Sequence, residues 1–208
     1  LDDGGAEIVQ SWLTSRGISL HCGVSVKSIS EGDEGAKIVE LDNGTTCEAD
    51  LVIVAIGIKP NKDFLDGSGI ELEDGILVND RLQTNYSNIY AGGDVAQGPV
   101  LGSDVREIHP IQPTAVDHGR VAGANMAGQR QPYRELPYFF SDLFDLEFEF
   151  VGDFDLQPDR VDFTGEISDD TFIARYFHND RIFAAVFVGR EEEEVEALKE
   201  EVLKTYSQ

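Results

Sequence analysis

The chain has 208 residues, with 40 Asp+Glu against 16 Lys+Arg, a formal net charge of −24, and 41% apolar and 27% charged residues. That length holds one large domain or two small ones, and the composition is globular rather than disordered. A surface this negative repels phosphate backbones and excludes nucleic acid as a partner. No apolar run approaches the roughly 20 residues of a membrane-spanning helix, and no signal segment opens the chain, so a soluble cytoplasmic protein without a membrane span is expected. The acid is spread along the whole chain, as on proteins from salt-rich cytoplasm or on an ordinary acidic surface.

In Ala6–Gly17, Ile8, Val9, Trp12 and Leu13 form one apolar stripe, which predicts a helix closed by Arg16 and Gly17, with Trp12 as a packing anchor. Ile18–His21 reads as a short strand, Val24–Ile29 and Ile38–Leu41 as two more, and Asn43-Gly44 as a hairpin turn. Leu51–Ile56 is apolar throughout and β-branched, the pattern of a parallel strand covered on both faces, and it stops at Gly57. Cys22 and Cys47 lack redox or zinc spacing and are expected as small core residues or buried thiols.

Ile76–Asn79 and Ile89–Ala91 are strand candidates, the latter running into Gly92-Gly93-Asp94. A helix fits Thr114–Ala127, preceded by Pro113 and ended by Gly128, with Ala115, Val116, Val121, Ala122, Ala124 and Met126 as its apolar contacts. Composition changes after Pro132, and 11 of the 12 Phe lie at or beyond Phe139. Leu146–Val151, Thr171–Phe177 and Arg181–Val188 read as strands, the last two joined by a turn at His178-Asn179-Asp180, and a helix runs from Arg190 onward. Glu191–Glu194 lie in its first turn, where acids favour the positive end of the dipole. The fold class expected is α/β, followed by a separate antiparallel α+β unit.

Gly92-Gly93-Asp94 is the sharpest chemical feature. Glycines permit close approach of backbone to a ligand, and an acid at the carboxyl end of a strand sits where open α/β sheets bind ligands. Its carboxylate can accept hydrogen bonds from hydroxyl groups; the competing reading is a turn capped by Asp94. Asp153-x-Asp155 lacks the glycine and glutamate of a calcium loop, so no metal site is expected. Of the histidines near the second helix, His109 is the better proton donor and His118 reads as a polar helix-face residue.

Three pieces in this order carry a resemblance: Ala55-Ile56-Gly57-Ile58-Lys59-Pro60-Asn61, then Thr84 through Ile89-Tyr90-Ala91-Gly92-Gly93-Asp94, then Gly119-Arg120-Val121-Ala122-Gly123-Ala124-Asn125-Met126-Ala127-Gly128. Together they resemble the C-terminal half of the FAD-dependent pyridine nucleotide–disulfide oxidoreductases. Pro137–Asp142, Asp145 and Val151-Gly152 are similar to the third domain of the ferredoxin-reductase, nitrite-reductase and apoptosis-inducing-factor-like branch. The resemblance implies the last part of an NAD(P)-binding domain over 1–61, the returning part of an FAD-binding domain over 62–130, and a C-terminal interface domain over 131–208.

It further implies that Asp94, with Gly92 and Gly93, meets the FAD ribityl chain or its adjoining phosphate region, and that the helix start at Gln112, Pro113, Thr114 and Ala115 faces the flavin pyrimidine edge. Gly57 falls at the joint between the two nucleotide domains. Gln112 stands where this branch often carries a tryptophan beside the flavin. The implied activity is hydride transfer from NAD(P)H to FAD and on to a redox acceptor, a small molecule or an iron–sulfur protein. A homo-oligomer is compatible with this, and the alternative is a non-catalytic interaction or dimerisation module formed by the Phe-rich C-terminal unit. The two Gly-x-Gly-x-x-Gly loops of the family are absent, and Gly67-Ser68-Gly69 reads as a plain turn. The expectation is a piece of a longer polypeptide that binds FAD poorly alone.

Overall fold

The computed structural model describes residues 3–101, 105–154, 156–166 and 171–206. The chain divides into two compact units, one ending at Gly57 and the other starting at Ile58.

In the first unit, helix α1 (Asp3–Ser15) ends where expected: Gly17 takes φ +82°, and the Ile18 amide reaches back to the Leu13 carbonyl at 3.2 Å. That left-handed cap satisfies carbonyls the helix cannot. Trp12 is half-buried, with the Arg16 guanidinium 3.6 Å over its ring. Strands β1 (Val26–Glu31), β2 (Lys37–Leu41) and β3 (Thr46–Ala49) form an antiparallel sheet in that order. The hairpin turn holds at Asn43-Gly44, where Gly44 has φ +86° and the Asn43 side chain accepts from the Thr45 amide.

Four expectations fail in this unit. Ile18–His21 is not a strand, because the cap and a turn at Cys22-Gly23 take up the segment. The strand expected from Val24 begins only at Val26. The cysteines are not buried: Cys22 is exposed, and Cys47 is half-buried with its Sγ 3.7 Å from His21 Nε2. The expected Leu51–Ile56 strand is also absent. Leu51, Ile53, Val54 and Ile56 are 74%, 81%, 65% and 91% exposed. A strand covered on both faces needs flanking strands and a second layer, and no described residue of this unit supplies them.

Among the described residues, the second unit contains two cores. The first gathers Ile76, Val78, Leu82, Ala91, Ala96, Val121 and Ala122. It is built from β4 (Ile76–Leu77), β5 (Ala96–Pro99), β6 (Arg106–Glu107) and helix α2 (Gln112–Met126). β4 pairs parallel with β5, and β5 antiparallel with β6. Ile89–Ala91 does not form the expected strand. Tyr90 makes an isolated bridge to Gln83, because the loop between them closes tightly through Thr84 amide to Ile89 carbonyl and Ala91 amide to Leu82 carbonyl, each 3.0 Å.

The second core belongs to a five-stranded antiparallel sheet of β7 (Tyr138–Leu143), β8 (Leu146–Gly152), β9 (Arg160–Glu166), β10 (Thr171–His178) and β11 (Arg181–Val188). The order is β7-β8-β11-β10-β9. Helix α3 (Glu192–Tyr206) buries Val195, Leu198 and Val202 against Val151, Ile173, Ala185 and Phe187. Asn179 and Asp180, at φ +51° and +58°, make the two-residue turn between β10 and β11, with the twist such hairpins require. The aromatic enrichment serves this sheet: Phe148, Phe172, Phe183 and Phe187 are buried, and Phe139 stacks on Phe150 with ring centroids 4.4 Å apart.

Candidate flavin-facing site

Helix α2 follows Ile111, whose extended backbone starts the helix without a side-chain cap. Pro113 has no amide hydrogen to lose, and no acidic side chain occupies the first turn. The positive end of this helix is thus left uncompensated by its own residues.

The buried stripe of α2 agrees with the expected one only at Val121 and Ala122. Val116 and Met126 are 64% and 67% exposed, whereas Thr114, His118, Val121, Ala122 and Asn125 are buried. Two of the three buried polar residues on that stripe have hydrogen-bond partners across the fold. Asn125 donates to the carbonyls of Arg81 (3.0 Å) and Gln131 (2.8 Å) and accepts from the Gln131 amide (2.7 Å). Thr114 is 3% exposed, and nearby Tyr133 has its hydroxyl pKa pushed up to about 12, chiefly by burial. His118, expected as a polar surface residue of the helix, is 4% exposed. Its Nδ1 accepts the Gly93 amide at 3.1 Å, and its ring meets Tyr133 edge-on at 4.5 Å. Periodicity misses His118 and Asn125 because it ranks side chains by polarity, and they are buried by virtue of specific partners.

The Gly92–Asp94 turn lies against this stripe. A Cβ on Gly92 would come 3.1 Å from His118 Cβ, and one on Gly93 would come 3.6 Å from Ala115 Cβ. Gly93 has φ +73° and begins a short 3₁₀ turn, Gly93–Val95. Asp94 follows, exposed, with no hydrogen-bond or ion-pair partner among the described residues. The structure therefore brings Gly92, Gly93, Asp94, Thr114 and Ala115 together. Pro113 and the exposed Gln112 open the same helix. Gly57, exposed with φ +95°, belongs to the other unit. His109 is half-buried, with Nε2 3.8 Å from Glu107. Of the calcium pair weighed above, Asp155 lies outside the described residues, and no group of three or more metal-binding side chains forms among those described.

A free carboxylate beside an uncapped helix start is a donor–acceptor set for a ligand rich in hydroxyls and carbonyls. The carboxylate accepts from hydroxyls, and the helix amides donate to carbonyls or to developing negative charge. These residues fit one side of a flavin and its ribityl chain.

Residues 1–119 match the family model described as pyridine nucleotide-disulphide oxidoreductase. The chain is 41% identical over 128 residues to the NADH-dependent phenylglyoxylate dehydrogenase subunit epsilon of Aromatoleum evansii, covering 61% of this chain and 30% of that one. It is 30% identical over 205 residues to the peroxisomal monodehydroascorbate reductase 1 of Oryza sativa subsp. japonica, covering 93% and 42% respectively. It superposes on the ferredoxin reductase for the CYP199A2 system of Rhodopseudomonas palustris with a TM-score of 0.86 at 26% identity, covering 94% of this chain and 48% of that one.

The chain belongs to the pyridine nucleotide-disulphide oxidoreductases, a family of enzymes that use FAD and NAD(P)H. It spans about half the length of that reductase.

Proposed function

We propose that this chain forms the returning side of the flavin site in an NAD(P)H-dependent oxidoreductase, and that the electrons leave to an iron–sulfur protein or a small redox acceptor. The observation that carries this is the free Asp94 carboxylate on a glycine turn packed against the uncapped start of α2. FAD, when bound, supplies the hydride acceptor for NAD(P)H and the store from which electrons pass on. The chain's own part is to bind and orient. Asp94 accepts hydrogen bonds from the ribityl hydroxyls. Gly92 and Gly93 let the backbone approach, and the first-turn amides of Gln112 and Thr114 favour negative charge at the flavin's pyrimidine edge, with Ala115 packed against Gly93.

The remainder of the site comes from polypeptide of the kind the longer relatives carry. This accords with the exposed run at Leu51–Ile56, which has the composition of a parallel-sheet interior. A purely adhesive role for the C-terminal unit has less support, since Phe148, Phe172, Phe183 and Phe187 are buried within the unit itself.

The test is to express the intact polypeptide containing these residues and record its visible spectrum and NAD(P)H oxidation. A yellow protein that is bleached by NADH or NADPH is expected, and Asp94→Ala should weaken flavin retention by about tenfold or more, the worth of a charge-assisted hydrogen bond. A colourless protein that oxidises neither nucleotide would overturn the reading. With a net charge of −24, transfer to an acidic iron–sulfur acceptor is expected to quicken as salt screens the repulsion.

A further inference from the structure

Whatever Asp94 faces, something must fix the backbone that carries it. Gly93 sits in the left-handed region, and its neighbour Gly92 is extended. Glycine backbone of this kind has many accessible conformations, so the turn needs an external hold. One side chain provides contacts at both glycines. His118, one turn along α2 from Thr114, packs its Cβ where a Gly92 side chain would have to sit, and its Nδ1 accepts the Gly93 amide at 3.1 Å. The ring is also met edge-on by Tyr133, with ring centroids 4.5 Å apart.

We infer that His118 is a positioning residue: in its neutral form, with the proton on Nε2, it locks the Gly92–Asp94 turn onto α2 through the Gly93 amide and so sets the place of the Asp94 carboxylate. That this place matters for a flavin rests on the function proposed above; the lock itself does not. Protonation breaks it by simple stereochemistry. An imidazolium carries N–H on both nitrogens, so Nδ1 would present a donor to the Gly93 donor.

The groups around the ring mostly favour the neutral form. Burial lowers the His118 pKa from its ordinary value, His109 in the segment before α2 lowers it further, and Asp117 on α2 raises it. Tyr133 stays neutral at the pH values concerned, and Asp94 is the nearest charge in the turn's own sequence. With the folded-state pKa below that of a free imidazole, the unfolded chain takes up the proton first as pH falls. The lock is therefore fully present above about pH 6.5 and is lost progressively in acid.

The test is amide hydrogen exchange at Gly93 in the 208-residue chain at about pH 7.5 and about pH 5, corrected for intrinsic rates, with the Ala127 amide at the far end of α2 as control. The wild-type chain should lose about tenfold of its Gly93 protection at the lower pH while Ala127 changes little, the loss expected for one hydrogen bond. His118→Asn places an oxygen acceptor at the same bond distance without a titrating proton, and should keep Gly93 protected at both pH values. His118→Phe keeps a ring without an acceptor, and should leave Gly93 unprotected at both.

Equal Gly93 protection in wild type and His118→Phe, or the same acid loss in His118→Asn as in wild type, would overturn the inference. Should His118→Phe not fold, the comparison of wild type with His118→Asn still decides it. A parallel flavin titration of the intact polypeptide separates the two claims. Absence of flavin binding in the wild type removes the functional reading, while the exchange data continue to judge the lock.

Discussion

Asn125 shows how single residues hold the site's helix in place. It joins the C-terminal turn of α2 to both Arg81 and Gln131, using both amide hydrogens and its oxygen. Asn125→Ala strands two carbonyls and an amide in a buried place and is expected to cost about 3 kcal/mol in urea denaturation. Asn125→Asp should cost more than Asn125→Ala, because a carboxylate oxygen would then face two carbonyl oxygens where a donor is needed. Gly152 makes a similar case at the end of β8. Its φ is +97°, and a Cβ there would lie 2.2 Å from the Phe183 carbonyl oxygen. Gly152→Ala combines left-handed strain with a backbone clash and is expected to lower stability by about 3 kcal/mol or to prevent folding, read by thermal denaturation.

At the scale of elements, α2 and α3 divide by what their faces meet. α3 is an ordinary amphipathic helix: Val195, Leu198 and Val202 face the sheet, and acids lie in its first turn. Val202→Ala opens a gap in a closed core and should cost about 2 kcal/mol. α2 is amphipathic in another sense, since three of its five buried residues are polar. Val116, apolar and inside the expected contact set, is 64% exposed. Val116→Ala should accordingly change stability by less than about 0.5 kcal/mol, and the pair of valines measured together tests the assignment of the buried face.

For the whole molecule the governing facts are charge and an uncovered apolar run. Raising ionic strength from about 0.1 M to about 1 M shortens the screening length from about 10 Å to about 3 Å. A chain of net charge −24 is self-repelling, so its melting temperature should rise over that range, measurable by calorimetry in potassium chloride. Leu51–Ile56 presents its β-branched side chains to solvent. Ile53→Lys should leave the stability of the 208-residue chain within about 0.5 kcal/mol and increase its solubility. In an intact polypeptide where this run lies inside a sheet, the same substitution should be severely destabilising.

The hairpin at Asn43-Gly44, the strands Thr171–His178 and Arg181–Val188, the caps at Gly17 and Gly128 and the acidic start of α3 were legible in the amino-acid sequence alone. Each depends on a local rule: a left-handed residue, an alternation, a charge against a dipole. β9 obeys the same alternation, with Val161 and Phe163 between polar residues. Tertiary structure alone decided the rest. His118, Thr114 and Asn125 are polar, and nothing local says that they go inside. His118 and Asn125 do so because Gly93 and Gln131, distant or looped back in the chain, present the matching hydrogen-bonding groups. Leu51–Ile56 is the converse: composition alone made it a buried strand, but burial needs neighbours, and strand pairing is a property of at least two segments.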